Sequence, residues 1–206
     1  MPTHEAFWDN IAHDYAKNPV KDMVAYDQTM ERTRVYLEPD AQALELGCGT
    51  GSTALRLHDA VGHLTATDIS SKMIGIARDK AWDQGVQNVT FRHADLGDDV
   101  GNGPYDAIMA FNLLHLVEDL PVALSAIHAN LKPGGVFISK SGCLGEKGWY
   151  LRVIVNVMRA LGKAPFVANL KVRELDELVE NAGFSIIETR TFPGMALNRF
   201  IVARKP

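Results

Sequence analysis

The segment Ala43-Leu44-Glu45-Leu46-Gly47-Cys48-Gly49-Thr50-Gly51 constrains this chain more than any other. Its first half is a short apolar run, the pattern of a buried strand. Its second half carries glycine at alternate positions. Glycines this close cost backbone entropy, so they belong where the chain turns sharply or lets a ligand approach its backbone. A helix-like segment, Ser52 to Asp59, follows directly. A strand, a glycine turn and a helix N-terminus in this order form a cradle for a nucleotide-like ligand.

The alternation continues downstream. His63–Asp68 alternates as a strand and ends on an acid. Ser70–Gln84 reads as a helix with Ser70 as its N-cap and Met73, Ile74, Ala77 and Ala81 on one face. Val89–His93 is a third strand, and Tyr105–Ala110 a fourth with the continuous apolar character of a buried parallel strand. Leu120–Leu131 has helical spacing and stops at Pro133-Gly134-Gly135, after which Val136–Ser139 is a fifth strand. Regular strand–helix alternation predicts an α/β fold with an open, doubly wound, mostly parallel sheet and helices on both faces. The end differs: after a helix over Val172–Ala182, the strands Phe184–Phe192 and Ala196–Arg204 are separated only by Pro193-Gly194-Met195. So short a link cannot cross over, so these two form an antiparallel hairpin at the sheet edge.

The 206 residues suit a single domain with a full core. Within it, residues 1–38 are expected as a helical lid with Met23, Tyr26, Met30 and Leu37 on one face. Residues 41–140 are the ligand-binding core, 141–170 an insertion covering the acceptor side, and 171–206 the last helix and hairpin. The net charge of −4 lacks the basic footprint of a nucleic-acid binder. Cys48 and Cys143 show no metal-ligand spacing, so no metal site is expected and both read as reduced apolar filler. The N-terminus has no signal pattern, and Tyr150 to Leu161, an apolar-rich stretch carrying Arg152 and Arg159, is too short to span a bilayer. A cytoplasmic protein without a transmembrane segment is expected; monomer and homodimer both stay open.

In an open α/β sheet the ligand lies beyond the carboxyl ends of the strands. Asp68 lies 21 residues after Gly47, the place of a carboxylate beside a ribose. His93-Ala94-Asp95-Leu96 follows the third strand, where an acid accepts from an adenine amino group and a backbone N–H meets a ring nitrogen. Each acid also has a structural reading: Glu45 as a partner of a helix dipole, Asp68 as an N-cap, Asp95 as a turn residue. Asp106 reads as structural. The dinucleotide fingerprint puts its last glycine three residues on from the second, yet residue 52 is Ser, and the terminal hairpin departs from an all-parallel dinucleotide domain.

The ordered motifs Leu44–Gly51, Thr67-Asp68-Ile69-Ser70, Ala94-Asp95-Leu96, Asp106 to His115 and Leu131-Lys132-Pro133-Gly134-Gly135 resemble those of class I S-adenosylmethionine-dependent methyltransferases of the small-molecule type. The resemblance spans about residues 41–140. It implies a seven-stranded Rossmann-like sheet with the last strand antiparallel, and S-adenosyl-L-methionine as cofactor with S-adenosyl-L-homocysteine as product. It implies that Glu45, Gly47, Cys48, Gly49 and Gly51 hold the methionine end and that Asp68 grips the ribose hydroxyls. Ile69 and Met73 then pack on the adenosine, Asp95 and the backbone of Leu96 meet the adenine, and Phe111 contributes backbone near the methionine moiety. The cofactor has a zwitterionic tail, a sulfonium, a ribose and an adenine but no phosphate, so acids and backbone suit it.

Methyl transfer from a sulfonium is an in-line displacement that asks the protein mainly for alignment and exclusion of water. His115, after the fourth strand, is the candidate base, with a pocket-wall or core-capping role beside it. Tyr15, in Phe7 to Ala16, resembles the lid aromatic of small-molecule methyltransferases. His4, His13, Tyr26, Glu146 and Trp149 are weaker candidates. Leu151, Ile154, Val155, Met158 and Leu161 form an apolar helical face. It reads as packing surface, as a wall for an apolar or lipid-like acceptor, or as a surface lying on a membrane. A small organic acceptor is expected, and no nucleic acid. Two rival readings are a non-catalytic regulatory protein that binds S-adenosylmethionine and an NAD(P)-dependent oxidoreductase.

Overall fold

The computed structural model describes residues 3–18, 20, 22–98, 103–146, 149–160, 164–191 and 198–206. Among them, apolar and β-branched runs form seven strands: β1 (Gln42–Leu46), β2 (His63–Asp68), β3 (Val89–His93), β4 (Tyr105–Phe111), β5 (Leu131–Gly142), β6 (Ser185–Arg190) and β7 (Asn198–Arg204). They make one sheet in the order β3-β2-β1-β4-β5-β7-β6. β1 to β5 are mutually parallel, while β7 runs antiparallel to both β5 and β6. The expected doubly wound sheet with a C-terminal antiparallel hairpin is borne out. The chain leaves β1 toward β2 and β3, then returns to β4 on the other side of β1. That reversal opens a cleft at the carboxyl ends of β1 and β4.

Helices cover both faces. On one lie α2 (Met23–Arg34), α3 (Ser52–Leu57) and α4 (Ser71–Asp83), whose Met30, Leu57, Ile74 and Ala77 pack with Ala43, Met109 and Ile138 of the sheet. On the other, α5 (Leu120–Asn130) and α7 (Val172–Asn181) pack Leu124, Ile127, Leu175 and Val179 on Ile108, Phe137 and Ile201. Each fully buried large aliphatic side chain contributes about 1.5–3 kcal/mol. Ser70 caps α4 as the sequence suggests, its hydroxyl accepting from Met73 N at 3.1 Å.

α1 (His4–Lys17) crosses the open end of the sheet. The Asp9 carboxylate accepts from Ser70 Oγ at 2.6 Å and Lys72 N at 3.2 Å, docking α1 on the start of α4. α2 is tied to the edge strand β6 by Arg32, whose Nε donates to Glu188 at 2.8 Å. Met23 departs from the expected lid face. It stands first in α2 and is 50% exposed, while the buried positions are Ala25, Thr29, Met30 and Thr33.

β5 runs past both ends of Val136–Ser139. Leu131 pairs with Tyr105 across a register shift. The Pro133-Gly134-Gly135 stretch bonds to the C-terminus, through Gly134 N to Lys205 O at 2.8 Å and Lys205 N to Gly135 O at 2.9 Å. At the other end β5 carries Lys140 onto the cleft. Helix α6 (Trp149–Ala160) exposes Val153, Ile154, Val157 and Met158, and Arg159 meets Glu118 at 3.2 Å. Leu161 and the Pro193-Gly194-Met195 link lie outside the described residues. Among the described residues no helix is long and apolar enough to cross a membrane.

Candidate functional site

The glycine turn takes three left-handed residues, Gly47 (φ +65°), Gly49 (φ +54°) and Gly51 (φ +76°). A Cβ on Gly47 would stand 2.8 Å from Leu113 Cδ1, and one on Gly51 would stand 2.8 Å from Ala77 Cβ and 2.9 Å from the Phe91 ring. These two glycines let the turn pack. At Gly49 the nearest atom is Tyr15 Cε1 at 3.8 Å, so here the backbone is open to what enters the cleft.

Asp68, at the end of β2, holds this turn in shape. Its Oδ2 accepts from Gly49 N at 2.8 Å and its Oδ1 from Ser70 N at 2.9 Å. Each oxygen retains a second lone pair. Glu45 stands on β1, 2% exposed, and its Oε2 has no hydrogen-bond partner among the described residues. Burial, and then the nearby Asp68 charge, push its carboxyl up to about 8. Burial raises Asp68 as well. A buried and a half-buried carboxyl group with spare acceptor capacity form a hole that calls for a cationic or donor-rich ligand.

These groups line a cavity of about 830 Å³, within the range of small-molecule sites. Ten of the sequence-derived cofactor residues meet on its wall: Glu45, Gly47, Cys48, Gly49, Asp68, Ile69, Met73, Asp95, Leu96 and Phe111. Gly51 is not on that wall; it is the left-handed N-cap of α3. Asp95 lies exposed at the rim, and its Oδ1 accepts from Leu96 N at 2.7 Å, so the backbone N–H expected for an adenine ring nitrogen is engaged. After Phe111 the chain kinks at Asn112, a non-glycine residue at φ 55° whose N donates to Lys140 O at 2.7 Å.

α1 supplies the roof. Tyr15 and Trp8 line the cavity and meet edge to face at 6.5 Å. His4 and Tyr26 line it too, whereas His13 does not. Glu146 accepts from Val172 N at 3.0 Å, an anchor for the start of α7. The side chain of Trp149 lies outside the described residues, and no described side chain of α6 lines the cavity. His115 sits in the 3-10 turn Leu114–Leu116. Its neighbours Leu113 and Leu116 line the cavity and it does not. Its Nδ1 accepts from Gly142 N at 3.3 Å, and burial pushes its pKa down to about 4, so it is neutral at pH 7. The sequence reading passed over Lys140, which lines the cavity from β5. Among the described residues no group of three or more His, Cys, Asp or Glu side chains converges as a metal site does.

The comparisons fit this geometry. A sequence model of the methyltransferase-domain family matches residues 43–135. A methyltransferase of Aspergillus novofumigatus is 34% identical over 95 residues, covering 45% of this chain and 36% of that protein. The mitochondrial arginine-hydroxylase NDUFAF5 of Danio rerio is 30% identical over 200 residues, covering 91% of this chain and 59% of that protein. The chain thus spans less than two thirds of either curated relative. The magnesium protoporphyrin IX methyltransferase of Synechocystis, solved with S-adenosylhomocysteine bound, superposes with a TM-score of 0.76 at 20% identity, over 98% of this chain and 97% of its own. The domain match falls on the very strands and turn that build the cavity, and the fold is the seven-stranded one of solved S-adenosylmethionine-dependent methyltransferases.

Proposed function

We propose that this chain transfers a methyl group from S-adenosylmethionine to a small organic acceptor, mainly by positioning the two. The observation that carries this reading is the orphaned Glu45 carboxyl group beside the Asp68–Gly49 clamp. An α-ammonium offers Glu45 the cation it lacks, and ribose hydroxyls match the spare lone pairs of Asp68. When bound, the cofactor supplies an activated methyl group on a sulfonium. The open backbone at Gly49 lets the ligand tail approach the turn. Ile69 and Met73 offer apolar contact to the nucleoside, and Trp8 and Tyr15 exclude water from above. His115, neutral and bonded to the backbone of β5, supports the wall from behind.

The relative named as a hydroxylase gives a second reading, in which the same fold serves oxygen insertion. One experiment separates them. The protein is titrated calorimetrically with S-adenosylhomocysteine and with NADH, then incubated with methyl-labelled S-adenosylmethionine and an acceptor panel. Saturable binding of S-adenosylhomocysteine, and a product heavier by one labelled methylene, support methyl transfer. Binding of NADH alone, or a product heavier by one oxygen atom, overturns it.

A further inference from the structure

The cavity has a second chemical side. The acids that suit the cofactor stand at the ends of β1, β2 and β3. Lys140 stands at the end of β5, paired in register with Phe111 of β4 and Phe200 of β7. β5 lies two strands from β1, about 10 Å away at ordinary strand spacing. Residues 136, 138 and 140 point to one face by strand alternation. Val136 and Ile138 belong to the core cluster of Ala43, Met109 and α2, so Lys140 stands on the Glu45 face, between the sheet and the lid.

We propose that Lys140 is the acceptor-recognition residue, receiving an anionic oxygen of the methyl acceptor: a carboxylate or an ionised phenol or enol. This inference rests on the methyl-transfer reading. The residue is 4% exposed yet on the cavity wall. Its Nζ donates to Thr29 Oγ1 at 2.9 Å, and the Thr29 hydroxyl in turn donates to Ala25 O at 2.6 Å, which orients the threonine as an acceptor toward the lysine. Among the described residues, the charge of Asp22, the N-cap of α2, reaches Lys140. Burial outweighs it and pulls the Lys140 pKa down to about 8, so a further negative charge is favourable there. An oxygen nucleophile must shed its proton before it accepts a methyl group, and a buried ammonium favours the ionised form. The lysine thereby selects acidic acceptors without a separate base.

The test reads binding, with protein saturated by S-adenosylhomocysteine and that saturation measured independently. 4-Nitrophenol, whose visible absorption reports its own ionisation, is titrated with pH against wild type, Lys140→Met and Lys140→Arg. Benzoate and its neutral isostere benzamide are compared on the same proteins. Wild type and Lys140→Arg should lower the pH at which the bound phenol ionises and prefer benzoate over benzamide by about tenfold or more; Lys140→Met should lose both effects. A lysine that merely pins α2 would change the melting temperature of Lys140→Met and leave the probe's ionisation unmoved. Equal binding of benzoate and benzamide to wild type, or no saturable binding of any probe, overturns the proposal whether or not a variant folds. Failure of S-adenosylhomocysteine to bind defeats the cofactor reading instead, and the benzoate comparison is then read on the free protein.

Discussion

The two sides of the cavity differ in charge and in how the chain builds them. Beyond β1 and β2 the wall is acidic and rigid, with Glu45 on a buried strand and Asp68 clamped to Gly49 and Ser70. Beyond β4 and β5 it is mixed in charge and irregular: Lys140 and Glu118 both line it, Asn112 takes a left-handed conformation, His115 turns under Gly142 behind the wall, and Lys140 reaches Thr29 of the lid. The acidic side uses backbone shape and carboxyl groups with spare acceptor capacity to suit one ligand. The other side uses side chains from three separate elements, so it can vary without disturbing the first.

The largest effect should come from the turn on the acidic side. Gly51→Ala combines left-handed strain with a Cβ 2.8 Å from Ala77 Cβ. Strain and overpacking together should cost roughly 2–5 kcal/mol, read as a lower chemical-denaturation midpoint. Gly49→Ala meets only the strain, about 1–2 kcal/mol, and should lose ligand affinity out of proportion to stability. Equal stability losses at the two positions would break the distinction between a packing glycine and a binding glycine.

Glu45→Gln comes next. It keeps the shape and removes the charge, and should weaken S-adenosylhomocysteine binding by at least about thirtyfold. Its effect on the free protein has the opposite sign. Glu45 has a raised pKa, so its contribution to stability is full below the ordinary carboxyl range and is lost as pH rises through about 8. The variant should therefore lose less stability than wild type between mildly acidic pH and pH 8, measured by thermal melts across that range.

His115→Ala probes the other side and should be smaller. Loss of the acceptor for Gly142 N should cost about 1–3 kcal/mol. The pKa of His115 is depressed to about 4, so its contribution is present above the ordinary histidine range and is lost as pH falls through about 4. The variant should flatten that acid-side loss. Its affinity for S-adenosylhomocysteine should stay within about twofold of wild type, since the residue is not on the cavity wall; a larger change would join the two sides energetically.

The contrast also explains what could be read from sequence. β2 and β3 have the boundaries read from the sequence, because both are bounded by turn residues; their burial does not alternate, since β2 is buried throughout its middle and β3 at Phe91 alone. The glycine turn was legible because three left-handed residues in five leave few alternatives to glycine. Lys140 was not, because hydropathy ends the strand at Ser139, while pairing with β7 carries it to Gly142. A charged residue in a strand gives no periodic signal when the wall it faces is a cavity. His115 was legible as a residue after β4, but its direction depends on the kink at Asn112 and on Gly142, 27 residues away along the chain. Met23 fits the helical period of the lid yet stands at the helix's first position, where the sheet does not reach it.

The central claim is that the acidic side takes a cationic ligand tail at Glu45. Calorimetric titration of S-adenosylhomocysteine at pH 7, in buffers of different ionisation enthalpy, tests it most directly. The free Glu45 carboxyl is held protonated by burial, and an ammonium beside it would ionise it. Binding should release about one proton per site in wild type and close to none in Glu45→Gln. Binding of full affinity with no proton release, or with the same release in Glu45→Gln, would contradict the account.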